Sequence, residues 1–311
     1  MKTIVTGSLV IDITIYPSSH FKMVKNFLAF PFDHKIQINK IFVEVGGSGY
    51  NVSSGLTNFG NNVTFFGAVG KDTYGKMILK TMKSKKINSK NVKTVNKELT
   101  GFSLIFLYNG EKTIITYRGA NNYLSEDDFK EAEFKKADVF LFTSMTSKQN
   151  VNFIKRAIET SKKYGLKIVC NPSIAMVEHQ LDNLKKFIKN SDFLIMNGKE
   201  ALKLTKTNNV KNAIKRLKKI CKGIPIITAS KLGCFIFDNK IKNFPAYTVE
   251  VIDTTGAGDI FTAAFLHSYY LTNDLEYSVK FANASAALKI SNIERKIPTE
   301  KEVVKFMEEE S

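Results

Sequence analysis

The sequence has few of the side chains that form disulfide frameworks or zinc sites. Its 311 residues include three cysteines and four histidines, and the pattern Cys-x-x-Cys does not occur. The cysteines, Cys170, Cys221 and Cys234, are an odd number and lie far apart in the chain. This distribution argues against a disulfide scaffold or a zinc site and favours a reducing compartment.

Long apolar runs are also absent. Hydrophobic residues make up 43% of the chain, but no uninterrupted run is long enough to span a bilayer. Near the N-terminus, Thr6, Ser8 and Asp12 interrupt the apolar run, which predicts a first buried strand and a turn rather than a signal peptide. We therefore expect a soluble cytoplasmic protein without a membrane partner.

Acidic residues are scarce relative to basic ones. The chain has 46 Lys and Arg against 29 Asp and Glu, a formal net charge of +17. Such a charge could attract nucleic acid, but the lysines form many short clusters, for example at 83–86 and 215–219, which are typical of solvated helix faces. No nucleic-acid-binding motif accompanies them, so we expect no nucleic-acid partner. A basic surface would also suit an anionic nucleotide.

The spacing of apolar residues predicts strands that alternate with helices. Strands are predicted at 63–68, 138–142, 166–170, 193–196 and 224–228, and helices at 73–82 and 148–163. Such a series is typical of βα units that build a mainly parallel sheet with helices on both faces. The predicted fold is therefore a three-layer α/β/α domain.

Three insertions, near 12–18, 33–46 and 99–118, break this alternation and predict a small antiparallel sheet. The last contains Asn109-Gly110 between two β-branched and aromatic runs, which is a strong hairpin signal. Because the insertions lie within the α/β series, we interpret them as a lid on one domain that spans residues 1–311. An open sheet of this kind has edges and an apolar face that a substrate or a second copy could cover.

The segment DTTGAGDIFTAAF, residues 253–265, predicts a turn followed by a helix that begins near Gly258. Glycines before a helix let its free N–H groups approach an anion, and the helix dipole keeps a first-turn carboxylate ionised. Asp259 could then accept the proton of an attacking hydroxyl while the amides of Gly256, Ala257 and Gly258 stabilise a transferred phosphoryl group. The alternative is that Asp259 only caps a helix, and the motif alone leaves both interpretations open.

Two further segments place polar groups where a small ligand could bind. Gly46 and Gly47 precede a predicted helix, in which Asn51 could hydrogen-bond to hydroxyl groups. Asp12 stands among apolar residues at the end of the first strand, where it must face a polar cleft or solvent because burial without partners is costly. An ordinary turn and a solvated strand end are the alternatives.

Asn197 and Glu200 form a third polar pair, at the start of a helix that follows a buried strand. Residues three apart share a helix face, so this amide and carboxylate could orient a water molecule, magnesium or a phosphate. The alternative is an ordinary helix start.

In this order, the motifs resemble those of the ribokinase-like (PfkB) family of carbohydrate and nucleoside kinases. The resemblance extends over essentially the whole chain and rests on GSLVID at 7–12, GGSGYN at 46–51, GKDTYG at 70–75, RGAN at 118–121, NGKE at 197–200 and DTTGAGD at 253–259. The last motif is the most specific. The resemblance implies a ribokinase-like fold and ATP-dependent phosphorylation of a hydroxymethyl group of a sugar, with Mg²⁺ and, in some members, K⁺.

The resemblance also implies roles for individual residues. Asp259 would be the base, and the anion hole would comprise Gly256, Ala257 and Gly258. Residues that would bind the acceptor are Asp12, Gly46, Gly47, Asn51 and Arg118. Residues that would contact the nucleotide are Asn197, Thr228, Ser230, Gly233, Gly258 and Asn283. Glu200 would hold magnesium through water, and Asp253 and Thr255 would bind a monovalent cation.

The chain also departs from the pattern of ribokinases. Ser48 stands where a lysine is usual, Ser230 where a glycine is usual, and residues 143–145 lack the glutamate that ribokinases often have there. The segment 291–299 lacks the usual glycine. These departures concern the acceptor, the potassium site and the adenine contacts.

Several alternatives to a kinase of free sugars follow from the sequence. A ribonucleoside acceptor could stack on Phe106, Tyr108 or Tyr117, and an acidic or phosphorylated sugar could meet Arg118. A ligand-binding protein without activity is a further alternative, against which the presence of Asp259 argues. Because lid sheets in the family often pair between subunits, the resemblance also implies a homodimer through the lid.

Overall fold

The computed structural model of the chain describes residues 1–16, 20–25, 27–108, 111–292 and 296–310. The strands in these residues are, in chain order, β1 (Lys2–Thr6), β2 (Val10–Tyr16), β3 (Lys22–Val24), β4 (Phe27–Ala29), β5 (Lys40–Gly46), β6 (Asn62–Gly70), β7 (Asn88–Val95), β8 (Gly101–Tyr108), β9 (Glu111–Tyr117), β10 (Val139–Phe142), β11 (Lys167–Cys170), β12 (Phe193–Asn197), β13 (Ile224–Thr228), β14 (Cys234–Asp238) and β15 (Lys240–Phe244). The α-helices are α1 (Ser48–Asn58), α2 (Thr73–Ser84), α3 (Glu131–Phe134), α4 (Lys148–Lys163), α5 (Ile174–His179), α6 (Leu181–Lys189), α7 (Gly198–Thr205), α8 (Val210–Ile220), α9 (Ala257–Thr272), α10 (Leu275–Ser291) and α11 (Glu300–Glu309).

Nine strands form one sheet in the order β15-β14-β13-β12-β11-β10-β1-β6-β7. The seven strands from β13 to β7 are parallel, and β14 and β15 add an antiparallel pair at one edge. Every residue of β10, VFLF, is buried. A central parallel strand needs apolar side chains in both directions because helices cover both faces. The mainly parallel sheet expected from the sequence is confirmed.

Helices cover the two faces of this sheet and give it two separate apolar cores. Helices α1, α2, α9, α10 and α11 pack on one face, where Val5 and Leu141 point. Helices α4, α6, α7 and α8 pack on the other face, where Ile4 and Phe140 point. Neighbouring residues of one strand therefore belong to different cores, as the two-residue period of a strand requires. No helix of the described ranges is both long and apolar enough to cross a membrane.

The predicted lid is a separate four-stranded sheet in the order β5-β2-β8-β9. The outer pairs β2/β5 and β8/β9 are antiparallel, as expected, but the central pair β2/β8 is parallel, so the sheet is mixed. The expected extended segment at 33–46 is a strand only from Lys40 onward. Residues 17 and 18 of the first insertion and the Asn109-Gly110 turn lie outside the described residues. The short antiparallel pair β3/β4 was not expected, because strands of three residues are too short to show a period.

Two side chains join the lid to the main sheet. The carboxylate of Asp72, the N-cap of α2, accepts hydrogen bonds from the Gly75 N–H and from the N–H and hydroxyl of Thr100, just before β8. Beyond β9, the side chain of Asn121 accepts from the Leu9 N–H and donates to the carbonyls of Leu9 and Arg118. The motifs GKDTYG and RGAN thus contribute to the attachment of the lid.

Candidate functional site

Several of the predicted site residues meet at the carboxyl ends of the parallel strands. A cavity of about 120 Å³ is lined there by side chains and backbone from α1, α7, α9 and the ends of β11, β12 and β13. Its lining includes Asn197, Glu200, Thr228, Gly258 and Asp259. This is the edge at which open α/β sheets bind their ligands, because the loops leave room there between neighbouring crossovers. A larger cavity of about 460 Å³ beside β7 contains no predicted site residue.

Asp259 lies in the first turn of α9, which begins at Ala257, one residue before the predicted position. Gly256 is the N-cap and adopts a left-handed conformation with φ of 73°, which favours glycine. Asn51 Nδ2 donates to Asp259 Oδ2 at 2.9 Å, although the two residues are 208 positions apart in the sequence. A catalytic candidate and an acceptor-binding candidate are therefore in direct contact.

The backbone in front of α9 is only partly available for an anion. The Ala257 N–H donates to the Thr254 carbonyl at 3.3 Å, so this amide takes part in the turn before the helix. The N–H groups of Gly256 and Gly258 have no backbone partner in the described residues. A β-carbon at Gly258 would meet nothing within 4 Å, so the space before this residue is open. Two of the three predicted amides are thus free of backbone partners, and the binding of an oxyanion in front of α9 stays a prediction.

Burial raises the pKa of Asp259 to about 7, opposed by the hydrogen bond from Asn51 and supported by the charge of Asp12. We expected the N-terminus of the helix to keep this carboxylate ionised, but the cost of removing its charge from water is larger. A carboxylate with a pKa near neutrality can both take up and release a proton, which is what a general base requires.

Asp12 lies within the second strand, β2, rather than at the end of the first, and its residue is only 8% exposed. The Ser103 hydroxyl and the Gly47 N–H hydrogen-bond to its carboxylate, and burial raises its pKa to about 6. A β-carbon on Gly46 would lie 2.5 Å from Asp12 Cγ, so glycine is needed at 46 for the carboxylate to fit. Gly47 has φ of 94°, in the region that favours glycine. The segment around Gly46 therefore packs against the Asp12 carboxylate and hydrogen-bonds to it.

The lid adds two polar residues that sequence reasoning missed. Ser103, on β8, stands opposite Asp12 in the register of β2 and β8. Lys112, on β9, is close enough for its charge to lower the pKa of both Asp12 and Asp259. Neither residue belongs to a motif, and only the pairing of the strands brings them to the site.

Asn197 and Glu200 bind each other at the start of α7. Asn197 Oδ1 accepts from the Glu200 N–H at 2.9 Å, and Glu200 Oε2 accepts from the Asn197 N–H at 3.0 Å. This is a capping box, so the ordinary helix start considered from the sequence is present, although both residues also line the cavity. Burial, together with the charge of Asp259, raises the pKa of Glu200 to about 7.

A magnesium ion would have to reach Glu200 through water. The carboxylate is already bound by backbone N–H groups, and no cluster of three or more acidic, histidine or cysteine side chains occurs in the described ranges. Mg²⁺ usually keeps several water ligands and takes its remaining ligands from carboxylates and substrate phosphates, so this set fits an ion that arrives with a nucleotide.

Three of the six expected nucleotide residues, Thr228, Ser230 and Gly233, occupy β13 and the turn that follows. Thr228 ends β13 beside Asn197 of β12. In the turn, Ser230 and Gly233 have φ of 49° and 79°, and a β-carbon on Gly233 would come within 2.6 Å of the backbone of Ala246. Asn283 Nδ2 donates to the carbonyls of Phe244 and Pro245 at 3.3 and 3.2 Å. Gly233 and Asn283 thus shape the loop after β15, neither lines the cavity, and their contact with the nucleotide stays a prediction.

The candidates for a monovalent cation lie in the turn before α9. The Thr255 N–H donates to Asp253 Oδ1 at 2.9 Å, and the Asp253 N–H donates to the Ile290 carbonyl at 3.2 Å. The carboxylate of Asp253 therefore stabilises the turn that presents Gly256 and Asp259. A monovalent cation at Asp253 and Thr255 stays a prediction.

Arg118 lies behind the cavity. Its guanidinium donates to the Ser144 carbonyl at 3.2 Å and to the Ser144 hydroxyl at 2.9 Å. The Ser144 hydroxyl is in turn 2.7 Å from the hydroxyl of Ser173, which lines the cavity. The Ser144 hydroxyl therefore lies between the guanidinium of Arg118 and the Ser173 hydroxyl of the cavity wall.

The chain is similar to known proteins over nearly its whole length. The pattern of the pfkB family of carbohydrate kinases matches residues 2–302. The chain is 29% identical over 277 residues to a ribokinase of Haemophilus influenzae, covering 86% of this chain and 88% of that protein. It is 26% identical over 302 residues to a deoxyribokinase of Salmonella typhi, covering 94% and 93%.

The fold is also that of a solved kinase structure. The ribokinase of Arabidopsis thaliana, complexed with ribose and ATP, superposes with a TM-score of 0.81 at 23% identity and 98% coverage of both chains. Because the family pattern covers nearly the whole chain, the protein belongs to the pfkB family of carbohydrate kinases, phosphotransferases that act on a hydroxyl group of a sugar.

Proposed function

We propose that the protein transfers the γ-phosphoryl group of ATP to a hydroxymethyl group of a sugar, with Asp259 as the general base. The observation that carries this proposal is the position of Asp259, which lines the cavity from the first turn of α9 with its pKa raised to about 7. The ribose and ATP in the Arabidopsis structure support the same pair of substrates.

In the proposed reaction, the acceptor hydroxyl loses its proton to Asp259 while its oxygen bonds to the γ-phosphorus of ATP. The bond between that phosphorus and the bridging oxygen breaks, and ADP leaves with the bonding electrons. The free N–H groups of Gly256 and Gly258 would stabilise the charge on the transferred group. Asp259 then releases its proton to solvent, and Asn51 holds its carboxylate in place throughout.

Magnesium, when bound, would neutralise charge on the phosphates of ATP. Glu200 would hold the ion through water, since its carboxylate is already fixed by the backbone of Asn197. Thr228 and the turn from Ser230 to Gly233 would contact the nucleotide beyond the phosphates.

The acceptor site would lie between Asp12 and Asp259. The charge of Asp12 acts on Asp259, so the two carboxyl groups lie near each other. Asp12 would accept hydrogen bonds from sugar hydroxyls, and Asn51 and the Gly47 backbone complete this side of the site. Asp259, in its deprotonated form, remains available to accept the proton of the hydroxymethyl group.

The lid aromatics favour a sugar over a ribonucleoside. Side chains alternate between the two faces of a strand, so Phe106 and Tyr108 point away from the face that carries Ser103 and Asp12. Tyr117 stands opposite Phe102, on that same remote face, and its hydroxyl donates to Glu98. None of the three aromatic residues is placed to stack on a base next to Asp12.

The test is ATP consumption with magnesium across pentoses, hexoses, acidic sugars and ribonucleosides, with the wild type and Asp259→Asn. We expect the variant to lose turnover while it still binds the acceptor in calorimetry. Asp182→Asn is the matched control, since Asp182 is also an aspartate in the first turn of a helix but is exposed on α6. Turnover of Asp259→Asn close to that of the control would overturn the role of Asp259.

A further inference from the structure

The larger cavity, of about 460 Å³, lies beside β7, the last strand at one edge of the main sheet. It opens between the end of this strand, the start of α4 and two 3-10 helices, Gly119–Tyr123 and Glu126–Asp128. Its lining residues differ from those of the cavity that contains Asp259. Sites for small molecules typically have volumes of about 300–1,000 Å³. The edge cavity is therefore large enough for a ligand that takes no part in the proposed reaction.

Hydrogen bonds hold the walls of the edge cavity together. Lys93 Nζ, on β7, donates to the Tyr123 carbonyl at 3.3 Å and to Asp128 Oδ2 at 3.0 Å. Asp128 Oδ2 also accepts from the Ser125 N–H at 2.9 Å. These contacts join the strand to both 3-10 helices, so the walls are preformed, as is usual for ligand sites.

The charges around the edge cavity balance. Lys93 is neutralised by its ion pair with Asp128, which leaves Lys97 and Asp127 as the other charged lining residues. Neither of these two takes part in an ion pair within the described ranges. An ion of either sign would be attracted by one of them and repelled by the other. The edge cavity therefore suits a neutral ligand.

The polar side chains of the lining suit hydroxyl groups. Asn96, Asp127 and Gln149 line the cavity, and their side chains have no hydrogen-bond partner among the residues that the structure describes. Amides both donate and accept hydrogen bonds, and a carboxylate accepts them, which matches the hydroxyl groups of a sugar. The ring of Tyr123 adds an apolar surface, with Lys97 Nζ 5.6 Å from its centre. A sugar ring has C–H groups that can pack on such a surface.

One carboxylate connects the edge cavity to the lid. The side chain of Tyr123 hydrogen-bonds to Glu98. Glu98 Oε1 also accepts from the hydroxyl of Tyr117, the last residue of β9, and from the Leu99 N–H at 3.1 Å. A ligand that immobilises Tyr123 would therefore act, through Glu98, on a strand of the lid.

We propose that the edge cavity is a second binding site, for a neutral sugar, and that a sugar bound there steadies the lid and raises the affinity for the acceptor. The sugar hydroxyls would bind Asn96, Asp127 and Gln149, and the sugar ring would pack on Tyr123. With the lid already ordered, the acceptor loses less conformational entropy when it binds. Binding to the cavity needs no phosphoryl transfer, whereas the effect on the acceptor rests on the proposed function.

Calorimetry without ATP tests the binding site, in an Asp12→Ala background that weakens the proposed acceptor site. The probes are ribose, fructose, glucose and maltose, with glucose 6-phosphate and glucosamine as charged counterparts of glucose. We expect one equivalent of a neutral sugar to bind, and Asp127→Ala to raise its Kd roughly 10- to 100-fold, the range for losing a hydrogen bond to a charged group. Asp182→Ala is the control, because Asp182 is likewise an exposed aspartate in the first turn of a helix.

Three results of this titration would overturn the binding site. They are the absence of saturable binding for all four neutral sugars, equal affinities of Asp127→Ala and the control, and tighter binding of either charged counterpart than of glucose. Gln149→Ala, at an exposed position of α4, gives an independent check, with a Kd that rises about three- to tenfold for one neutral hydrogen bond. An unchanged Kd in this variant would remove α4 from the site and contradict the proposed contacts.

Tyr123→Phe tests the connection to the lid separately. Phenylalanine keeps the ring but cannot hydrogen-bond to Glu98, so this variant should still bind the sugar. In the wild type we expect the sugar to lower the KM of the acceptor about fivefold or more, and in Tyr123→Phe to leave it unchanged. Where one sugar fills both sites, the same effect appears as a sigmoidal rate curve that becomes hyperbolic in the variant.

The control for this variant is Tyr164→Phe. The Tyr164 hydroxyl also donates to a glutamate, Glu131, at 2.6 Å, but at the far end of α4. A wild-type KM that does not respond to a sugar bound in the cavity would overturn the connection to the lid. An equal loss of the response in both variants would do the same. Lack of turnover with every acceptor would refute the proposed kinase reaction while the calorimetric test of the cavity remains valid.

Discussion

Replacing Gly46 by alanine should disable the acceptor site through a single methyl group. The β-carbon would lie 2.5 Å from Asp12 Cγ, whereas carbon atoms in contact are about 3.5–4.0 Å apart, so the carboxylate must move by roughly 1 Å. Asp12 is 8% exposed and is held by Ser103 and the Gly47 N–H, so this movement breaks hydrogen bonds in a site without spare room. Overpacking should also cost about 1–3 kcal/mol of folding free energy.

A displacement of this size has a large kinetic effect. A misplacement of about 1 Å in a substrate-positioning group costs roughly 100-fold, which corresponds to about 2.7 kcal/mol in transition-state stabilisation. We expect Gly46→Ala to lower kcat/KM by about that factor, mainly through a higher KM for the acceptor, with the KM for ATP nearly unchanged. Steady-state kinetics with the best acceptor of the panel measures both constants.

A double-mutant cycle with Asp12→Ala tests the reasoning. Once the carboxylate is gone, the added methyl group has nothing to displace, so Gly46→Ala should cost little more in the Asp12→Ala background. Additive effects of the two substitutions, or kcat/KM for Gly46→Ala within about threefold of wild type, would refute the proposed packing of the Asp12 carboxylate against Gly46.

Three further predictions concern the pH dependence and the assembly of the protein. Because Asp259 acts as a base with a pKa of about 7, kcat/KM should rise as the pH increases through that value, and an activity profile that is flat between about pH 6 and 8 would contradict this. Burial lowers the pKa of His267 in the folded protein. Below about pH 6.5, the ordinary pKa of histidine, the unfolded state therefore binds more protons than the folded state, and the free energy of unfolding should fall as the pH drops below that value. Urea titrations should show a weaker loss of this kind in His267→Gln, and an identical loss in both proteins would contradict it. The lid face opposite Asp12 carries three exposed apolar residues, Ile41, Val43 and Ile115, which are 51%, 46% and 56% exposed. We expect a second copy of the chain to cover this face, so that Val43→Glu yields monomers in light scattering. A wild-type protein that is already a monomer would refute the dimer through the lid.

The sequence by itself determined the elements whose signals are local. Helix α4 begins after Ser147, whose side chain accepts from Asn150, and it extends over the predicted residues, Lys148–Lys163. The apolar run VFLF specified a buried central strand, and the spacing in DTTGAGD placed Asp259 in the first turn of a helix to within one residue. Caps, turns and periodicities act over a few residues, so they can be read without knowledge of the rest of the chain.

Only the tertiary structure decided which distant groups meet and what their environment does to them. The contact between Asn51 and Asp259, the fit of Asp12 against Gly46 and the parallel pairing of β2 with β8 join segments far apart in the chain. The pKa of Asp259 followed burial rather than the helix dipole, and Arg118 proved to bind Ser144. Desolvation and side-chain contacts depend on all the elements packed around a residue, so no short stretch of sequence contains them.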